Sequence, residues 1–222
     1  MAALGVVQAM VGEAISPELI KRRMWLEYQY ASNNPSNAVD CIHDLITNLT
    51  DPNLKMHQFL QDAAETIHNR LCIKQVTIGL KNPKDGVFRY EVMSGLSDSE
   101  WDAHLRLFYT LDQFDNPNVY KYFRVSKYTR LYLVEDNPYR NGEENTYSRS
   151  EMLQSTRRTL DDTIEGDYLD IYILGKNDEL EGWLEISGLN NGKFPDVQTL
   201  KVVELLASVI AIALTETNSR AG

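Results

Sequence analysis

The chain has 222 residues, enough for one ordinary domain with some extra helix or for two small ones. Its 43 % apolar and 24 % charged composition is that of a globular protein, so disorder is not expected. A net charge of −10, with no basic stretch beyond Lys21-Arg22-Arg23 and Arg157-Arg158, argues against nucleic acid as a direct partner. Cys41 and Cys72 form no CxxC pair and build no disulfide framework, so they read as reduced thiols. Met1 to Ala14 lacks the positive region of a signal peptide, and no apolar run reaches the roughly eighteen residues of a membrane span. No membrane partner is expected, and the expected location is cytoplasmic.

Ser16-Pro17-Glu18 predicts a helix start, a capping side chain followed by proline at the first helical position. That helix runs to about Tyr30, where Asn33-Asn34-Pro35 stops it. A second, from about Asn37 to Leu49, carries Val39, Ile42, Ile46 and Leu49 at helical spacing, and Asp51-Pro52-Asn53 interrupts again. A third, from about Leu54 to Leu71, sets Phe59, Leu60, Ala63, Ala64, Ile67 and Leu71 on one face. Strands then begin: Val76, Ile78 and Leu80 alternate, residues 82–86 turn the chain, and Val87 to Met93 returns it. Ser97-Asp98-Ser99-Glu100 is a capping box for a short helix through Trp101, Leu105 and Phe108.

Val119 to Val125 and Thr129 to Val134 read as strands, and Glu135 to Asn145 as a loop. Ser148 and Glu151 predict a second capping box and a helix to about Leu160. Tyr168 to Ile173 alternates, Gly175-Lys176-Asn177-Asp178-Glu179 offers the positive φ of a tight reversal, and Leu180 to Ser187 pairs back. Phe194-Pro195-Asp196 opens a closing helix so apolar around its circumference that it needs a sheet and something else to cover it. The fold class is α+β, an antiparallel sheet with helices segregated to its faces. A boundary near Thr50 to Asn53 separates an N-terminal helical extension, 1–51, from the α+β domain, 52–217, with 218–222 as a tail.

The stretch from about Asn53 to Thr217 resembles a GAF domain. The likeness rests on the helix before the first strand, the hairpin ending Met93-Ser94-Gly95-Leu96, and the closing pattern Gly182-Trp183-Leu184-Glu185-Ile186 through Phe194 to Ala213-Leu214. The PAS fold is the nearest confusion, but it usually lacks long helices at both ends. The resemblance implies a sheet with helices on one face and, on the other, a small-molecule pocket under the connections Leu96 to Asn118 and Glu135 to Asp167. It also implies pairing of the first and last helices with a second subunit, hence a homodimer, and a signal passed to a separate partner protein.

On that pocket side, Phe114, Tyr120, Tyr122, Tyr128, Tyr132, Tyr139 and Tyr147 suit stacking on a planar ligand, with Trp183 beside them. Arg130, Arg140 and Arg149 suit an anionic group. Any single tyrosine more often fills a half-buried strand position simply because it fits there. A pocket filled by Tyr132, Trp183 and loop aromatics would favour a ligand-free interaction module instead.

The Asn-Lys, Phe, Asp-Glu signature of cyclic-nucleotide-binding members meets Asn191, Lys193, Phe194 and Asp196, but Val197 follows Asp196 and the spacing fails. Bilin attachment needs a cysteine in mid-domain, and free methionine sulfoxide reduction needs several around the pocket; none follows Cys72. His43, His57, His68 and His104 show no metal-site spacing and read as solvated or interfacial. His43-Asp44, with Thr47 one turn on, resembles a histidine-kinase phospho-acceptor box, but Asp51-Pro52 cuts the helix short and no ATP lid follows. With no triad, P-loop or Rossmann fingerprint, neither catalytic nor metal residues are expected, and no cofactor is indicated.

Overall fold

The computed structural model describes residues 15–30, 38–51, 53–137 and 142–221. The expectations placed on Met1 to Ala14, the Asn33-Asn34-Pro35 stop, Tyr139 and Arg140 lie outside them. Three helices come first, α1 (Pro17–Tyr30), α2 (Ala38–Leu49) and α3 (Met56–Arg70), followed by strands β1 (Val76–Lys81) and β2 (Phe88–Ser94). Two short helices, α4 (Asp98–His104) and α5 (Leu111–Asp115), lead to β3 (Phe123–Arg124) and β4 (Thr129–Tyr132). Helix α6 (Arg149–Gln154), strands β5 (Tyr168–Leu174) and β6 (Leu180–Ile186), and α7 (Val197–Ala221) complete the chain.

The six strands form one antiparallel sheet in the order β2-β1-β6-β5-β4-β3. This is the expected α+β architecture. Because strand side chains alternate, each strand supplies one residue set to each face. Val76, Ile78, Val92, Leu131, Leu169, Ile171, Leu184 and Ile186 point to the helices and join Phe59, Leu60 and Ile67 of α3 and Leu200, Val203, Leu206 and Ile210 of α7 in one apolar core. Ile20 and Met24 of α1 and Leu45 of α2 belong to the same core, so residues before Thr50 share its packing. Lys21 and Arg23 of α1 also form ion pairs with Asp136 and Asp161.

Several local expectations need correction. Positive φ in the β5–β6 turn falls on Asn177 (62°), as its residue type allows, and on Asp178 (61°), while Gly175 keeps a negative φ. Asn116 to Val119 is a turn and the Lys121 backbone bonds the Asn137 side chain, so only Phe123–Arg124 pairs as an edge strand. Leu111–Asp115, not expected at all, is a helix capped reciprocally by Thr110 and Gln113. The Ser148 cap forms, its side chain accepting from Glu151 N, but the Glu151 carboxylate turns to Lys74 and the helix ends at Gln154, short of Leu160.

Helix α7 also revises the reading of apolar runs. Lys201 and Glu204 interrupt it in sequence, yet Val197–Thr217 is long and apolar enough to cross a membrane, with a mean hydropathy of 1.9 over its best window. Half of that window is buried in the domain.

Candidate functional site

The face of the sheet turned away from α3 and α7 carries three rows of side chains, set by strand register. One row is aromatic: Tyr90 on β2, Gly79 on β1, Trp183 on β6 and Tyr172 on β5. The next is polar, with Thr77 opposite Glu185, Glu185 opposite Asp170, and Asp170 opposite Arg130. The third pairs Tyr168 with Tyr132.

The aromatic row is filled in. Trp183 lies flat over Gly79, where a Cβ would come within 2.0 Å of its ring. Around it sit Phe114 and Tyr90 at 5.0 Å, Tyr109 at 5.9 Å and Phe88 at 6.4 Å between ring centroids. Tyr172 Oη donates to the Phe114 carbonyl at 3.0 Å, which fixes α5 over the strands. The gap left between this cluster and the polar row is about 30 Å³, room for about one water molecule.

A larger cavity of about 270 Å³ opens beside it. Its floor is Thr77, Glu185 and Tyr168; Tyr147 and the 163–167 turn form a wall, and Ser187 to Gly192, between β6 and α7, forms the rim. At the mouth Lys74 pairs with Glu151 of α6 at 2.5 Å and with Glu165 at 3.5 Å. The wall is anchored by Asp167, whose carboxylate accepts from Val134 N (3.1 Å), Ile164 N (3.0 Å) and the Arg157 guanidinium (2.9 Å). Gly188 lets the rim close on that wall, since a Cβ there would stand 2.0 Å from Thr163 Oγ.

The electrostatics of this face are acidic. Glu185 accepts a hydrogen bond from Tyr90 Oη at 3.0 Å, yet burial, and then the Glu143 charge, push its carboxyl up to about 7. Asp170 is raised well above the carboxylate range by burial and by Glu185, and one of its oxygens has no hydrogen-bond partner among the described residues. Arg130 lies between the rings of Tyr172 (4.7 Å) and Tyr122 (5.3 Å). Its Nη donates to the Ser126 carbonyl at 3.2 Å. His104 is buried, not solvated. Its Nδ1 lies 2.7 Å from the Glu100 carbonyl, and burial lowers its pKa, which keeps the ring neutral.

Of the residues singled out in sequence, Tyr147 lines the larger cavity. Phe114, Tyr120, Tyr132 and Trp183 surround the small gap; Tyr120 Oη donates to Glu143, and Tyr132 stacks on Tyr168 at 4.6 Å. Arg130 sits at the far end of the polar row. Tyr128 lies on the β3–β4 turn with Lys127 over its ring at 5.4 Å, and Arg149 is exposed at the start of α6. Thr77, Tyr168 and Glu185 were not among the ligand candidates, and His104 was read as solvated or interfacial. Alternation places Thr77 and Glu185 on the Trp183 side, and that was the signal available. Among the described residues, no group of three His, Cys, Asp or Glu side chains is placed to hold a metal ion.

Thr47 Oγ donates to the His43 carbonyl at 2.8 Å, so its hydroxyl is engaged with the helix backbone.

No family model and no curated protein matches this chain. Solved structures do. The GAF domain of a phosphoenolpyruvate-protein phosphotransferase from Coxiella burnetii superimposes with a TM-score of 0.54 at 15 % identity, over 85 % of this chain and 99 % of that one. The phycoerythrobilin-bound GAF domain of a cyanobacterial phytochrome gives 0.50 at 16 %, over 86 % and 100 %. A bacteriophytochrome from R. palustris gives 0.50 at 13 %, over 84 % of this chain and 38 % of that one. At such identities the likeness speaks for the backbone alone, and it agrees with the antiparallel sheet and flanking helices described above: this chain has the GAF fold.

Proposed function

We propose that this GAF-fold chain is a sensory binding module and not a catalyst. It takes a small molecule in the cavity beside Glu185 and passes its occupancy to α7. The observation that carries this reading is the cavity rim. Ser187, Gly188, Leu189, Asn190 and Gly192 line the cavity and lead within five residues to the first residue of α7, Val197. A ligand that prefers one arrangement of that rim biases one position of the helix. Helix α7 leaves Leu205 and Ile212 exposed, at 48 % and 55 %, on one stripe. That stripe is the surface for a homodimer or for a separate signalling partner.

The second reading, a ligand-free interaction module, is favoured by the packed centre around Trp183. Native mass spectrometry of the purified protein separates the two, under gentle and then denaturing conditions. Extra mass lost on denaturation supports the sensor. An apo dimer that also binds nothing in a ligand screen supports the docking module, and an apo monomer removes the dimer.

A further inference from the structure

The cavity floor carries an unbalanced charge and an unused hydroxyl side by side. Thr77 is 2 % exposed, and its Oγ has no hydrogen-bond partner among the described residues. It lines the cavity and stands directly opposite Glu185 across β1 and β6, a placement that puts the two Cβ atoms about 5 Å apart. A buried hydroxyl left without a partner is costly, and such groups ordinarily mark a place that water or a ligand fills.

Every other charged side chain lining the cavity has an oppositely charged partner, and among the described residues Glu185 has none. Lys74 is engaged by Glu151 and Glu165 at the mouth, and Asp167 by Arg157 behind the wall. His104 is held neutral by burial. Glu185 has only neutral donors, Tyr90 and the Trp183 ring N–H, and the groups that act on it electrostatically are the carboxyls of Glu143 and Asp170. Arg130, one strand beyond Asp170, is spread over two tyrosine rings and the Ser126 carbonyl. An anion entering this cavity meets a carboxylate floor. A cation meets a carboxylate, an accepting hydroxyl and the faces or hydroxyls of tyrosines.

Resting on the reading of this cavity as the ligand site, we propose that it takes a compact organic cation, a primary ammonium, with Glu185 as its counter-ion and Thr77 Oγ as a second acceptor. An ammonium has three donors and no acceptor, which matches a floor that offers acceptors. The volume of about 270 Å³ is below the ~300–1,000 Å³ of drug-sized sites, so the cation is small.

The test is isothermal titration calorimetry of the full chain at about pH 8 with two matched pairs: phenethylammonium against phenylacetate, and n-butylammonium against butyrate. At least one ammonium is expected to bind, and its carboxylate mate to bind at least tenfold more weakly. Glu185→Gln should weaken the ammonium about ten- to a hundredfold while melting no earlier than the parent. Thr77→Val, which removes the orphan hydroxyl at nearly constant volume, should raise the melting temperature of the empty protein and weaken the ammonium several-fold.

The cation assignment is overturned if a carboxylate binds as tightly as its ammonium mate, if neither ammonium binds at about 10 mM, or if folded Glu185→Gln binds ammonium like the parent. A carboxylate that binds, or any compound retained in native mass spectra, would leave the small-molecule reading standing while the cation falls. Silence from all four probes with no retained compound removes both.

Discussion

Arg157 shows how one side chain holds a functional wall in place. In sequence it is half of a basic pair, and Arg158 beside it is exposed. In the fold its side chain is 4 % exposed, grips Glu135 through two nitrogens at 3.0–3.2 Å, and reaches the fully buried Asp167. It also stands 5.7 Å over the Phe194 ring. Arg157→Met should therefore cost about 3–5 kcal/mol, because it leaves the Asp167 carboxylate buried without its cation. Urea denaturation checks this, and a loss below about 1 kcal/mol would mean the pair is surface-like.

Glu185 gives a pH dependence at the same scale. Its folded pKa is about 7, raised from 4.5, so between those values the folded protein keeps a proton that the unfolded chain has released. The stabilisation from that proton is complete below about pH 4.5 and is lost as pH rises through 7. Glu185→Gln should match the parent at low pH and exceed it above pH 7 by on the order of 1–3 kcal/mol, since the site is partly open to the cavity. Thermal melts of both proteins from pH 4.5 to 8 measure this, and parallel curves would rule it out.

At the scale of elements, pairs of strands explain what alternation could and could not reveal. The two-residue period of β5 assigns Leu169, Ile171 and Ile173 to one face and Tyr168, Asp170 and Tyr172 to the other, as the structure has it. The register of β1 and β6 sets Thr77 beside Trp183 and Glu185, but a lone threonine in a strand carries no sign of being a cavity floor. Gly79 is the clearest local demand. Its missing Cβ leaves room for the Trp183 ring, so Gly79→Ala should cost about 1–3 kcal/mol by overpacking. It should also shift the tryptophan emission as the ring is displaced. An unchanged stability and spectrum would show that β1 and β6 can part without cost.

The segment after Ser148 departs from its local signal because one of its side chains bonds far along the chain. Glu151 can close a capping box with Ser148, but Lys74, 77 positions away, takes its carboxylate instead. Residues 155–160 then leave the helix and lead to the 163–167 turn of the cavity wall.

Across the whole molecule, α7 decides most. Its apolar circumference called for a second cover, and part of that cover is internal: α2 and α1 pack against it, with Leu45, Met24 and Ile20 entering the shared core. What stays exposed is the stripe of Leu205, Ser208 and Ile212. If that stripe joins two copies, the double variant Leu205→Glu, Ile212→Glu should turn a dimer into a monomer with little change in melting temperature, because neither side chain lies in the core. Size-exclusion chromatography with light scattering decides it, and a variant that stays dimeric would place the interface elsewhere.

Fold class, the face each strand residue takes and the approximate starts of the main helices are legible in the amino-acid order alone. These follow from short-range rules of period, capping and turn geometry that act within a few residues. Where the open space lies and what charge it holds emerge once the chain is folded. Cavity and charge depend on which side chains from distant strands and connections meet, and on which of them lose water when they do. Trp183 met four rings and filled one end of the face, while Glu185 met Thr77 and Tyr90 and was left the acidic floor of the other.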